Sequence, residues 1–174
     1  MAKTIKMSLS TDSINKAIKE ITAYKNSLVY KTELFAKTLS QKGVQIARAK
    51  VITYDATFTN ELLNSIVSEK KSSKEAKFVF VVKADSEHAV WVEFGVGQLG
   101  QEGSYPYPFP DDISWEYNSG HTIFEISPGQ YGWFFPMPDG TWRFTQGMPS
   151  RPFMYETSID LVGITESVAR QIFR

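Results

Sequence analysis

No cysteine occurs in the 174 residues, which excludes a disulfide framework and any thiolate metal site and fits synthesis in a reducing cytoplasm. Histidine is almost as scarce. His88 and His121 are the only imidazoles, so a zinc site would have to be completed by carboxylates, and no metal site is assigned. There is no run of about 20 apolar residues, and no basic-then-apolar opening with a small-residue cleavage site. Membrane spanning and export by a signal peptide are therefore disfavoured, and a soluble protein is expected. Gly-x-Ser-x-Gly and Walker-type loops are missing, and two histidines build no Ser-His-Asp set, so no catalytic residue and no cofactor are assigned.

Lysine is absent from the second half. Met1 to Lys83 holds 14 Lys and one Arg against seven acids, whereas Ala84 to Arg174 holds four Arg and no Lys against 12 acids, so a net charge of zero is the sum of +8 and −8. A split of that size speaks to partners rather than to fold. The lysines are spread along helical segments and double as an ordinary solvated face. In a subunit that meets its neighbour through two different surfaces, the two signs attract; Lys70, Lys71 and Lys74 on one side and Asp111 and Asp112 on the other are the candidate pair of patches.

A chain of this length is of single-domain size and buries roughly two thirds of its unfolded surface. One domain over 1–174 is expected, with an insertion at about 96–142. Thr4–Leu9 alternates polar and apolar residues and predicts a strand. Ser10 and Asp12 are capping residues, and Ile14, Ala17, Ile18 and Ile21 have helical spacing. The stripe continues through Leu28, Phe35, Leu39 and Ile46 to about Val51, as two helices or one kinked at Asn26–Ser27. Gly43, within it, costs about 1 kcal/mol relative to alanine and predicts a close contact on the backbone. Leu62–Val67 fits a short helix or the start of a strand and is read as strand after Asn64. Lys70–Glu75 reads as a turn, and Phe78–Val82 as the second, central and buried strand of a hairpin.

Between Ser104 and Phe144 lie six of the eight prolines and 12 of the 24 Trp, Tyr and Phe residues, with five acids and Arg143 as the one base. Tyr105–Pro110 alternates with proline and must be extended. His121–Ile126, Gly132–Phe135 and Thr141–Thr145 read as short strands, the last two joined by a turn at Met137–Gly140. Helical period returns from Arg151, with Pro152 in the first turn. The fold class expected is α+β: a small, mostly antiparallel sheet, N-terminal helices and a C-terminal helix on one face, and a long aromatic loop projecting from it.

Three motifs bear on function. Gly95-Val96-Gly97-Gln98-Leu99-Gly100 matches G-x-G-x-x-G in letters, but the strand, long helix and distant acid of a βαβ unit do not surround it. Glu93 sits beside Trp91 and Phe94, where its pKa would rise. Without a partnering acid or base, however, it is read as paired with a lysine or arginine, or capping backbone amides near the glycines, rather than moving protons with His88. The rings Tyr105, Tyr107, Phe109, Trp115, Tyr131, Trp133, Phe134 and Phe135 suit a protein interface, a sugar platform or a local hydrophobic cluster. The acidity of the stretch argues against a phosphate backbone.

Two segments together resemble one family. Ala89-Val90-Trp91-Val92-Glu93-Phe94-Gly95-Val96-Gly97 is similar to its "apolar-x-Glu-Phe-Gly-x-Gly" segment. Gly147-Met148-Pro149-Ser150-Arg151-Pro152-Phe153-Met154-Tyr155 is similar to the motif opening its C-terminal helix, which here ends Val168-Ala169-Arg170-Gln171-Ile172-Phe173. The family is the small neck or tail-completion proteins of long-tailed phages, and Ser10–Glu20 resembles its first helix. The resemblance implies a structural virion protein, not an enzyme: a neck, tail-completion or tail-terminator subunit assembled in the host cytoplasm into a homo-oligomeric ring. Its implied partners are a head-completion or portal-side connector and the major tail tube protein, with genomic DNA passing without sequence-specific binding. The alternative is a carbohydrate- or cell-wall-binding module using the aromatic loop.

Overall fold

Ser10 sets where the first helix begins. Its side-chain oxygen accepts the Ser13 N–H at 3.3 Å, satisfying an amide that the first turn leaves without a partner, and Asp12 places an acid at the positive end of the helix. From there α1 (Thr11–Thr53) runs unbroken for 43 residues, about 65 Å at 1.5 Å per residue. Asn26 and Ser27 do not split the helix, because an exposed polar residue costs a helix interior only about half a kcal/mol. The computed structural model describes residues 4–56, 60–74, 77–137 and 139–174, apart from the side chains of 73 and 74. The strand expected at Thr4–Leu9 does not form: the segment is irregular, with Leu9 95% exposed, and among the described residues no strand pairs with it.

The fold is α+β, with two small antiparallel sheets in place of the single one expected. A short helix α2 (Glu61–Ser65) passes directly into β1 (Ile66–Lys74), which pairs with β2 (Lys77–Ala84) from Ile66↔Ala84 to Lys74↔Lys77. The leaning toward strand after Asn64 is thus off by one residue. Lys70–Lys74 is strand rather than turn, and the reversal falls on 75–76, outside the described residues. Nor is β2 central and buried. It has one strand neighbour, and α1 covers one side of it, so none of its residues is fully buried and Lys77 and Val81 are exposed.

The second half supplies α3 (Ala89–Phe94), α4 (Gly97–Glu102), a sheet of β3 (Phe124–Ser127), β4 (Gln130–Pro136) and β5 (Trp142–Thr145), then β6 (Gly147–Met148) and α5 (Phe153–Phe173). β3-β4-β5 is the strand order, and the β4–β5 reversal occurs at the expected place, with the Met137 amide donating to the Thr141 carbonyl at 2.7 Å; Pro138 lies outside the described residues. Ala47, Val51, Leu62, Ile66, Val92 and Phe153 form the core, so α1, the hairpin, α3 and α5 meet in one place.

α5 runs antiparallel along α1, from Lys50, which binds Glu156 and Asp160 at 3.2 and 2.9 Å, to Phe35, whose ring is 6.0 Å from that of Phe173. Gly43 lies between these ends. A Cβ there would come within 2.9 Å of Val82 Cγ2 and 3.0 Å of Leu161 Cδ1, so its glycine lets three elements close up, as its place in the stripe predicts. Gly43→Val should lower stability in urea unfolding by about 1–3 kcal/mol through overpacking, despite valine's better helix propensity. A neutral or stabilising result would mean that the α1, β2 and α5 contact is looser than described.

Candidate functional site

The two family-like segments meet in space, and Glu93 is the hinge of their contact. α5 begins after Pro152, a residue with no side-chain group to cap the helix. Glu93, about 60 residues upstream, does so instead: its Oε2 accepts the Met154 N–H at 2.8 Å and its Oε1 the Tyr155 N–H at 3.0 Å. Two backbone contacts hold the segments in register. The Ser150 hydroxyl donates to the Glu93 carbonyl at 2.6 Å, and the Arg151 amide donates to the Val92 carbonyl at 2.8 Å. Farther along, Val96 and Gly97 bridge to Met148 and Gly147. A Cβ on Gly147 would fall 1.9 Å from the Val96 carbonyl oxygen and one on Gly97 2.6 Å from that of Gln146, so glycine at both permits the approach.

The reading of Glu93 as a cap is therefore right in kind and different in place: the amides are those of α5, not of the glycines. Burial raises its pKa above the usual carboxylate range, opposed by the two amides and reinforced by the nearby Glu156. Both oxygens are committed to backbone, and no hydrogen bond joins Glu93 to His88. Gly95 to Gly100 follows a helix, not a strand, and opens only the six-residue α4, so the dinucleotide pattern fails for the reason expected.

Phe94, next to Glu93, is the centre of the aromatic arm. Tyr105 lies edge-on to it at 4.9 Å, with Phe109 at 5.5 Å and Trp115 at 5.3 Å, and the Trp115 Nε1 donates to the Gly95 carbonyl at 3.0 Å. Tyr107 stacks on Tyr155 at 4.2 Å and its hydroxyl reaches Glu156 at 3.3 Å. The arm forms neither helix nor strand, as its prolines require, but it bends at Tyr107, brings the Tyr105 and Phe109 rings within 5.1 Å, and does not project. Its rings find Phe94 and Tyr155 beside them, and burying that area outweighs keeping it wet. Of the eight rings expected at an interface, Tyr105 and Trp133 are buried, Tyr107, Phe109, Trp115 and Phe135 are half-buried, and only Tyr131 and Phe134 are exposed.

A cleft of about 900 Å³ is lined by Asp55 just after α1, Leu62 of α2, Trp91 of α3, Trp133 of β4 and Met148 of β6. Both histidines of the chain reach it: His88 lies against Trp91 at 5.4 Å, and His121 stacks on Trp133 at 5.8 Å, with Phe135 and Arg151 also on the wall. No spacing in the sequence relates His88 to His121, so this grouping was not legible there. Among the described residues no set of three or more His, Asp or Glu side chains is placed to hold a metal ion.

The charged candidates lie at the surface of the hairpin and of the insertion. Lys70 pairs with Glu33 on α1 and sits over the rings of Phe78 and Phe80, and Lys71 pairs with Glu69 at 2.9 Å. Both lysines thus have an acid within the same chain, which weakens them as docking charges. The Lys74 side chain lies outside the described residues, and Asp111 and Asp112 are exposed in a turn after the arm. Among the described residues no helix is long and apolar enough to cross a membrane. Comparison with protein-family models, with curated proteins and with solved structures finds no match.

Glu156 was not singled out in the sequence, yet it gathers Lys50, Tyr54 at 2.6 Å and Tyr107 around one carboxylate. Burial pushes its pKa up, but the Tyr54 and Lys50 hydrogen bonds outweigh this and hold it below the ordinary glutamate value. Glu93 and Glu156 should therefore titrate with opposite effects on stability. A depressed folded pKa contributes stability above the unfolded value and loses it as pH falls through the folded one; a raised folded pKa makes the native state gain on mild acidification. Glu156→Gln should cost about 1–2 kcal/mol at pH 7, with the gap to wild type closing as pH drops below about 4.5. Glu93→Gln, which turns an amide donor toward a backbone donor, should cost about 1–3 kcal/mol, with the gap widening on acidification toward 4.5. Urea unfolding from pH 7 to pH 3 checks both signs; parallel curves for the two variants would overturn the assignment.

Proposed function

We propose that this chain is a structural subunit of the head-tail connection of a long-tailed phage, a neck, tail-completion or tail-terminator protein assembled as a ring. The observation that carries the reading is the convergence of the family-like motifs on each other. Trp91 to Gly97 and Gly147 to Tyr155 are joined through Glu93 and the Val96–Met148 bridge, so the residues of the resemblance serve to position helices and to bury one another. Motifs kept for packing suit a scaffold, whose function is the shape it presents. In the particle the subunit contacts its own copies, a head-completion or portal-side connector and the major tail tube protein, and DNA passes without being read.

The alternative of a carbohydrate- or cell-wall-binding module draws less support. A stacking platform needs ring faces open to the sugar, and Tyr105, Tyr107, Phe109 and Trp115 spend theirs on Phe94, on Tyr155 and on each other. Inactivating the gene in a phage that carries it should leave filled heads and finished tails unjoined, and the purified protein should restore joining. Gold-labelled antibody on intact particles should mark the head-tail junction. Joined, infectious particles made without the protein, or label confined to lysed cells, would overturn the proposal.

A further inference from the structure

Two apolar surfaces of the chain are uncovered, and they are complementary in kind. The first continues the seam between α1 and α5. α5 ends at Phe173 against Phe35, and its final carbonyl at Arg174 accepts the Lys31 ammonium at 3.0 Å. Beyond that point, among the described residues, the large apolar side chains of the α1 stripe lie open, and only the small Ala17 within it is buried. Leu28 (38% exposed), Tyr24 (47%), Ile21 (55%), Ile18 (55%) and Ile14 (36%) follow at three- and four-residue steps over about four turns of helix. Ile14, Ile21 and Leu28 repeat every seven residues and lead to Phe35, the repeat of a helix surface that packs on something.

The second surface is the outer face of β3-β4-β5. Register places Phe124 opposite Gly132, Phe134 opposite Phe144 and Pro136 opposite Trp142, so these residues share one face, while Trp133 and Phe135 point to the other, toward the cleft. The Phe124, Phe134 and Phe144 rings form an edge-to-face ladder at 5.8 and 5.4 Å, with Phe124 47%, Phe134 43% and Trp142 65% exposed. An antiparallel sheet with one wet face shows apolar residues on the other alone. This sheet carries large apolar side chains on both, Trp133 and Phe135 on the cleft side among polar neighbours and the phenylalanine ladder on the outer side, so the outer face has the character of one that is covered.

We propose that these surfaces are the two sides of one contact, in which the N-terminal half of α1 of one copy lies across the β3-β4-β5 face of the next. A helix stripe and a sheet face are mutual covers, both belong to this chain, and within one copy both stay exposed. Charge selects this pairing over helix against helix. Residues 4–31 hold five lysines against two acids, and residues 104–144 hold five acids against one arginine. Placing two such helices together would oppose lysine to lysine, whereas the net negative charge of the 104–144 segment attracts the lysine-rich helix and guides the encounter. The contact joins unlike surfaces, so it repeats head to tail and either closes into a ring or extends. Only its closure into a ring rests on the virion reading.

The test is self-association of the purified full chain, which fails or succeeds independently of any particle. In sedimentation at micromolar concentrations the wild type should exceed monomer mass, more so at low salt. Ile18→Glu with Ile21→Glu, and separately Phe134→Thr with Trp142→Thr, should each give a monomer with unchanged circular dichroism. An equimolar mixture of the two should give a one-to-one dimer and nothing larger, because each retains one working surface. A monomeric wild type, either variant still oligomeric, or a mixture that stays monomeric would overturn the proposal. Should the sheet variant misfold, the absence of cysteine offers a second route. Ile21→Cys chains mixed with Phe134→Cys chains should be joined by a short bis-maleimide in preference to Ile21→Cys with itself, and the reverse preference would overturn it.

Discussion

A carboxylate buried at the start of α5 is the constraint from which the rest of the arrangement follows. Taking an acid out of water is costly, and an isolated one would not survive there. Glu93 is retained because two α5 amides, left without partners by a proline that cannot cap, accept no better substitute within reach. A negative charge at a helix N-terminus adds favourable interaction with the helix dipole. Once the carboxylate is in place, α3 has no freedom left. The Ser150 hydroxyl and the Arg151 amide close on the Glu93 and Val92 carbonyls, and Val92 and Phe153 enter the core beside Ala47 and Val51.

The orientation of α3 then decides the fate of the aromatic insertion. Phe94 follows Glu93 and presents its ring to the side where Tyr105, Phe109 and Trp115 gather. Tyr155, one turn into α5, offers a second ring to Tyr107, and Glu156 beside it takes the Tyr107 and Tyr54 hydroxyls. The polar ends of these side chains are thereby satisfied while their ring faces are covered, the condition under which tyrosine can be buried. A proline-alternating segment is well suited to this, since it loses less conformational entropy on being fixed and has few amide donors to satisfy.

α1 divides at about Phe35 into two halves of different character. From Phe35 to Val51 it is held by packing: Gly43 admits Val82 and Leu161, and Lys50 binds two α5 acids. From Thr11 to Leu28 almost every residue is exposed, so this stretch depends on its cap, on intrinsic propensity and on its covalent continuity with the packed half.

Local physics made much of this legible in the sequence. The Ser10 start, the α1 and α5 stripes, the tight contact at Gly43, the Phe78–Val82 strand and the Met137–Gly140 reversal depend on side-chain period, caps and turn residues, which act over a few positions and are written in neighbouring letters. The α+β class followed from them. What only the tertiary structure decided involves partners far apart in the chain. A strand pattern at Thr4–Leu9 has no strand beside it among the described residues; the aromatic arm folds inward because Phe94 and Tyr155 are there to receive it; Lys70 pairs with Glu33 of α1 at the surface. His88 and His121 share a cleft, and Glu156 collects three donors, although no spacing announces either. Glu93 marks the boundary between the two kinds of information. Its being a cap could be read from an acid among apolar residues, but the helix it caps begins about 60 residues later, and only the fold brings those amides to it.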